Sequence, residues 1–107
     1  MAFDIVLAPE AARVLRKLSG RDRALVRDTI ERHLRHEPTK LSRSRIKRLR
    51  GLQQPQYRLR VGDIRVFYDV TETAVEILSI VPKSQAEAWL AEQGTQGQGS
   101  GPGSGEG

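Results

Sequence analysis

The chain has 107 residues, enough for one domain with one hydrophobic core. Apolar residues make up 37% and charged residues 29%, a balance typical of globular proteins. No apolar run approaches the ~20 residues of a membrane span, and the N-terminus lacks signal-peptide features, so we expect a cytoplasmic protein with no membrane partner. The absence of cysteine excludes disulfides, thiolate metal sites and a cysteine nucleophile.

The charge of the chain is unevenly distributed. The formal net charge is +5, but residues 40–65 hold nine basic residues and one acidic residue, a net charge of +8. The rest of the chain carries nine basic and twelve acidic residues, a net charge of −3. A cluster of one sign is typical of proteins that bind a polyanion such as nucleic acid. A solvated face or a surface for an acidic protein would give the same pattern.

The first third of the chain predicts a strand and two helices. The short β-rich segment Phe3 to Leu7 predicts a strand. Pro9 suits a first helical turn, apolar residues then recur at helical spacing, and Gly20 is expected to end this helix in a left-handed conformation. A second helix is predicted over residues 22–36, before Pro38, with an apolar stripe of Leu25, Val26, Ile30 and Leu34. Helices joined this tightly form an antiparallel hairpin that packs on a sheet.

After Pro38 the apolar period becomes alternating, which predicts strands. A polar, basic loop from Ser42 leads into a strand near residues 46–49. Residues 57–70 predict two strands joined by Gly62-Asp63, a two-residue hairpin signal. A further strand, Ala74 to Val81, is rich in β-branched residues.

The C-terminal part predicts a closing helix and a flexible tail. Ser84 can cap a helix that runs through Glu92, with Ala88, Trp89 and Leu90 facing inward. Residues 94–107 hold seven of the ten glycines and no apolar side chain, so we expect a flexible tail after a domain of residues 1–93. The predicted fold class is α+β, with an N-terminal strand, an antiparallel helical hairpin, an antiparallel three- to four-stranded sheet and a C-terminal helix.

The hairpin register predicts a basic face. If Gly62-Asp63 forms the turn, Arg60 lies opposite Arg65 and Arg58 lies opposite Phe67. The other face then carries apolar side chains, namely Leu59, Val61, Ile64, Val66 and Tyr68. Like charges directly opposite each other destabilise a sheet, so the three arginines favour a surface that binds phosphates.

Interpretations without a functional role are also open for the basic residues of this face and for the two histidines. The arginines can instead extend into solvent or pair with Glu76 on the neighbouring strand. His33 and His36, at i and i+3, have the spacing of metal ligands, but with no cysteine or acidic cluster nearby a solvated helix face is favoured. We therefore expect no metal and no cofactor.

Three segments resemble the RelE/ParE toxins of bacterial toxin–antitoxin pairs: KRLRG (residues 47–51), YRLRVGDIRVFYDV (57–70) and VEILSIVPKSQAEAWL (75–90). The resemblance spans about residues 3–92. It implies a microbial RNase-like α+β sheet and a cognate antitoxin protein that wraps the toxin in a hetero-oligomer. RelE-like members enter the ribosomal A site and cut mRNA, whereas ParE-like members poison DNA gyrase.

The resemblance also implies a site. A RelE-like site carried over by position falls on Arg58, Arg60, Arg65, Lys83 and Trp89, the last stacking on a base or, alternatively, anchoring the closing helix. The arginines suit stabilisation of a phosphorane, but they stay protonated, so Lys83 is the candidate general base. Further RNA contacts are expected from the remaining basic residues Lys47, Arg48, Arg50, Arg43 and Arg45.

Three functions follow from the resemblance. The leading hypothesis is a ribosome-dependent mRNA endoribonuclease that inhibits translation, with mRNA and the ribosome as partners. The second is a ParE-like inhibitor of DNA gyrase, which needs no nucleolytic residues. The third is a weakly active toxin homologue that acts mainly through antitoxin binding, which the lack of a conventional base on the hairpin favours.

Overall fold

The chain begins with a strand and a helical hairpin in the computed structural model, which describes residues 2–96. Strand β1 is Asp4–Leu7, helix α1 is Pro9–Lys17 and helix α2 is Gly20–Leu34. The prediction that Gly20 ends the first helix is wrong, because Gly20 is the first residue of α2. The Ser19 hydroxyl caps α2 by accepting a hydrogen bond from the Asp22 amide at 3.1 Å. Extended backbone at Leu18 and Ser19 makes the turn instead.

The buried stripe of α2 differs from the predicted one at one position. Val26, Ile30 and Leu34 are buried as expected, but Leu25 is 46% exposed. Thr29 takes the buried position, and its hydroxyl donates a hydrogen bond to the Leu25 carbonyl at 2.7 Å. A threonine whose hydroxyl bonds to its own helix can be buried at little cost. The buried stripe therefore could not be identified by looking for apolar residues alone.

The rest of the described chain forms six strands and one helix. Their bounds are β2 Ile46–Arg48, β3 Leu52–Gln54, β4 Tyr57–Val61, β5 Ile64–Val70, β6 Ala74–Pro82, α3 Ala86–Gln93 and β7 Thr95–Gln96. The main sheet has the order β1-β6-β5-β4-β2. The strands β6, β5, β4 and β2 are antiparallel neighbours, as predicted, and β1 adds a fifth strand by pairing parallel to β6. The α+β fold class is confirmed.

The hairpin at Gly62-Asp63 has the predicted turn and register. Gly62 adopts a φ of 57°, a left-handed conformation that glycine reaches without steric cost. Val61 pairs with Ile64, Arg60 with Arg65, and the register continues to the far end of the hairpin. The core lies between the helices and one face of this sheet, and it contains the apolar face of the hairpin, including Leu59, Val61, Val66 and Tyr68.

The closing helix begins later than predicted. Ser84 lies in a short 3₁₀ turn, Lys83–Gln85, and α3 then begins at Ala86 without a side-chain cap, so the predicted Ser84 cap is wrong. The half-buried positions of α3 include Ala86, Trp89 and Leu90, whereas Ala88 is exposed, contrary to expectation. The 3₁₀ turn shifts the start of the helix and thereby changes which side chains face inward.

A small second sheet lies at the C-terminal end of the described residues. Strand β3 pairs antiparallel with β7, and the Gly94 amide donates to the Leu90 carbonyl at 2.8 Å. Residues 94–96, which the composition placed in the tail, therefore contact the folded domain. The remainder of the expected tail, 97–107, lies outside the described residues.

Tyr68 provides a test of the core. Its side chain is fully buried, and its hydroxyl donates to the Pro38 carbonyl at 2.7 Å, while burial raises its pKa, so the hydroxyl stays a donor. Tyr68→Phe should lower the free energy of unfolding by about 1–2 kcal/mol, because it leaves a buried carbonyl without its donor. Urea unfolding followed by circular dichroism measures the loss. Tyr57→Phe, at the half-buried ring stacked on Tyr68, is the control, and an equal loss in both variants would contradict the assignment.

Candidate nucleic-acid interface

The sheet face opposite the core carries the predicted arginines. Because the register puts Arg60 opposite Arg65 and Arg58 opposite Phe67, these four side chains share one face. Strand β2 extends this face, with Lys47 opposite Arg58. The sheet thus brings the basic residues of the hairpin together with Lys47 of β2.

A cavity of about 460 Å³ opens between this face and the start of α3. Four cationic side chains line it, together with four apolar residues, one hydroxyl and one carboxylate. These lining residues are Lys47, Arg58, Arg65, Lys83, Leu49, Phe67, Ala86, Leu90, Ser84 and Glu87. We call this the basic cavity. Four cations around one space of this size attract an anion.

The Arg58 guanidinium has no ion-pair partner among the described residues. Its side chain is half-buried, and its Nε is buried without a hydrogen-bond partner among the described residues. Burial lowers the pKa of the Arg58 guanidinium, and the charges of Arg65 and Arg60 lower it further. The predicted alternative, pairing with Glu76, is not seen, since no ion pair between described residues involves these arginines. A partly desolvated cation of this kind is stabilised when an anion binds.

Arg65 is held rigidly by the hairpin turn. It is 7% exposed, and its Nη1 donates to the Gly62 carbonyl at 2.7 Å and to the Ile64 carbonyl at 3.1 Å. Both bonds use the same nitrogen, so neither occupies the Nε or Nη2 donors. A guanidinium fixed before the ligand arrives loses little further entropy when it binds a phosphate.

Lys83 lines the basic cavity, and a backbone hydrogen bond fixes its position, whereas Arg60 lies outside the cavity. The Lys83 amide donates to the Asp63 carbonyl at 2.7 Å, which holds the 3₁₀ turn against the hairpin turn. Arg60 is exposed and is not among the lining residues. Of the predicted catalytic cations, the cavity therefore combines Arg58, Arg65 and Lys83.

Trp89 anchors α3 and does not line the basic cavity. Its ring stacks on Phe67 with centroids 5.0 Å apart and planes 4° apart. Its Nε1 donates to Glu10 Oε2 at 3.1 Å, and the Ser79 hydroxyl donates to the same oxygen at 2.6 Å. This arrangement is the anchoring alternative considered for Trp89, and stacking on a base stays a prediction.

Two of the predicted RNA-contacting residues do not line the basic cavity, and their side chains donate hydrogen bonds to backbone carbonyls instead. Arg48 lies opposite Tyr57, its guanidinium is 5.1 Å from the centroid of that ring, and its Nη1 donates to the Gln56 carbonyl at 2.7 Å. Arg45 donates to the Arg60 carbonyl at 3.0 Å and lines a separate cavity of about 420 Å³.

The remaining predicted contacts divide between the cavity and the surface. Lys47 lines the basic cavity, whereas Arg43 and Arg50 are exposed in the loops on either side of β2. The site therefore contains one of the five residues predicted as further RNA contacts.

Helix α3 contributes a wall of the cavity that was not predicted from the sequence. Ala86, Glu87 and Leu90 line the cavity because they share one side of the helix, at i, i+1 and i+4. The sequence shows this spacing directly after Lys83. Because the helix was predicted to begin at the wrong residue, these three side chains were not assigned to the site. Glu87 is the most consequential omission, since it is the carboxylate of the cavity.

The second cavity contains His33, one of the two histidines considered as metal ligands. His33 lines it with Arg32 and Arg45, and burial lowers the pKa of His33, with the two arginine charges lowering it further. Within residues 2–96 no group of three His, Cys, Asp or Glu side chains lies close enough to hold a metal ion. Nor is any helix in that range long and apolar enough to cross a membrane.

Comparison with solved structures identifies the fold. The chain is similar to RelE-RelB complexes from Pyrococcus horikoshii OT3 (24% identity, TM-score 0.60) and Methanococcus jannaschii (20%, 0.59), and to the RelBE2 toxin-antitoxin complex from Mycobacterium tuberculosis (26%, 0.61). The matches cover 79%, 78% and 77% of this chain and 99%, 96% and 99% of the matched chains. Neither a family model nor a curated protein matches it. The chain has the RelE-like toxin fold.

The anchor of α3 can be tested by removing one donor. Trp89→Phe keeps an aromatic ring for stacking on Phe67 but removes the N–H that Glu10 accepts. We expect the free energy of unfolding to fall by about 1–2 kcal/mol, as measured by urea unfolding with circular dichroism. In a Glu10→Ala background the same change should cost much less. Equal losses in both backgrounds would show that the hydrogen bond contributes nothing.

Proposed function

We propose that this protein is the toxin of a type II toxin–antitoxin system and that it cleaves mRNA on the ribosome. The RelE-like fold supports the first part, because the similar solved structures are complexes of RelE with RelB. A cognate antitoxin is then the protein partner, bound in a hetero-oligomer. The observation that carries the second part is the basic cavity, in which Arg58, whose Nε has no partner among the described residues, lies with three other cations.

The cations of the basic cavity suit a phosphodiester in the act of cleavage. When the 2′-hydroxyl of RNA attacks the adjacent phosphorus, negative charge accumulates on the non-bridging oxygens. Arg65 presents a fixed guanidinium, and Arg58 presents one that no described residue neutralises. Donors that are in place before the reaction stabilise this transition state without reorganisation. Lys83, which is exposed and also lines the cavity, remains the candidate general base for the 2′-hydroxyl.

The proposal predicts that Arg58 is needed for mRNA cleavage. Expression of the wild-type chain should stop growth and produce cuts in a reporter mRNA at codons in the ribosomal A site, detected by primer extension. Arg58→Ala should reduce cleavage by about 10²–10³-fold, because it removes a donor to the developing charge. The variant breaks no side-chain hydrogen bond among the described residues, so we expect it to fold.

The control is Arg13→Ala, which removes an exposed arginine of α1 and should cleave like the wild type. Growth arrest with intact mRNA would contradict the nuclease, and DNA damage in the same cells would support gyrase inhibition instead. Antitoxin binding without growth arrest would support a weakly active homologue.

Binding to single-stranded RNA should depend on salt through the cavity cations. Each phosphate contact that is lost should reduce the slope of log Kd against log salt by about 0.7. Lys47→Ala removes an exposed lysine that lines the basic cavity, so its slope should fall by about this amount. Arg13→Ala should leave the slope unchanged. Fluorescence anisotropy over a range of salt concentrations measures both, and identical slopes would place the RNA elsewhere.

A further inference from the structure

Among the described residues, Glu87 is the one carboxylate that lines the basic cavity. It is exposed in the first turn of α3, and the four cations Lys47, Arg58, Arg65 and Lys83 line the same space. Even so, no ion pair joins Glu87 to any of the described lysines and arginines. An acid in a phosphate-binding cavity weakens anion binding, so its presence there calls for a role other than binding.

The anchoring of α3 keeps Glu87 in place. Trp89, two residues further along the helix, stacks on Phe67 of the sheet and donates to Glu10. Beyond the C-terminal end of the helix, β7 pairs with β3. A general base must be held within hydrogen-bond reach of the proton it removes, and these contacts supply a rigid support.

The other polar side chains of the basic cavity are poorer proton acceptors. Arginine stays protonated under any ordinary condition, which excludes Arg58 and Arg65. A lysine must first lose its proton, and a serine hydroxyl such as that of Ser84 is a weak base. A carboxylate is ordinarily ionised at neutral pH and can accept a proton at once. The arginines and Glu87 therefore divide two tasks, charge stabilisation and proton removal.

We infer that Glu87 is the general base of the cleavage reaction, an inference that rests on the proposed nuclease function. Its carboxylate takes the proton of the 2′-hydroxyl as that oxygen forms a bond to the adjacent phosphorus. The bond from phosphorus to the 5′-oxygen breaks, and this oxygen receives a proton from the Lys83 ammonium. The products are a 2′,3′-cyclic phosphate and a 5′-hydroxyl, and proton exchange with water restores both side chains. This assignment replaces Lys83 as base and leaves it as the acid.

The test compares single-turnover cleavage of mRNA on programmed ribosomes by the full-length chain and its variants. Glu87→Gln keeps the size of the side chain but cannot take the proton, so the rate should fall by about 10²-fold or more. The affinity for the ribosome–mRNA complex should be unchanged or higher, because a negative charge is lost. Glu87→Asp should recover part of the rate. The matched control is Glu92→Gln, an exposed glutamate of the same helix that does not line the cavity.

The pH dependence of the rate separates a base from a structural residue. The wild-type rate should rise with pH over the acidic limb, and this limb should be absent in Glu87→Gln. A wild-type rate in Glu87→Gln, or a loss explained wholly by weaker binding, would overturn the assignment and leave the nuclease proposal standing. If the wild type itself does not cleave, the nuclease proposal fails and the role of Glu87 fails with it. Thermal denaturation of each variant checks that the chain is folded.

Discussion

The two-residue turn at Gly62-Asp63 determines which side chains reach the basic cavity. Side chains alternate along a strand, so a shift of one residue in either strand would exchange the two faces of the hairpin. The correct register buries Leu59 and Val66 completely and leaves Arg58 and Arg65 on the other face. The apolar face therefore fixes the register by its burial, and the basic face follows from it. Burial of the apolar face stabilises the fold, and this stabilisation offsets the repulsion between the arginines on the other face.

The second wall of the cavity depends on contacts that are distant in sequence. Glu10, at the start of α1, accepts hydrogen bonds from Ser79 on β6 and from Trp89 on α3. One carboxylate thereby connects the first helix, the sheet and the last helix. Phe67 connects the hairpin to α3, because it lies on the basic face of the hairpin and its ring stacks on that of Trp89. The position of the α3 side chains in the cavity consequently depends on a carboxylate outside it.

The parts of the fold that local rules determine could be predicted from the sequence. The hairpin turn follows from Gly62, and the alternation of Leu59 and Val61 with the arginines gave the register correctly. The start of α3 could not be predicted, because a 3₁₀ turn and a helical turn have similar residue preferences at Lys83–Gln85. The polar strands β3 and β7 have no apolar alternation, so their pairing was not visible either. The sequence therefore indicated the cations that line the cavity but not the α3 wall with Glu87.

The charges of the basic cavity remain unneutralised within the described residues. Surface charges normally find partners at little cost, as Arg35 and Arg32 do with acids one turn earlier in α2. Between residues 2 and 96, by contrast, the buried Nε of Arg58 has no partner, and Glu87 forms no ion pair although it lines the same cavity. If these two groups bonded to each other, the cation would be lost to the phosphate and the carboxylate would be a weaker base. The missing ion pair fits the roles proposed for the two groups, since it leaves Arg58 available to a phosphate and Glu87 available to a proton.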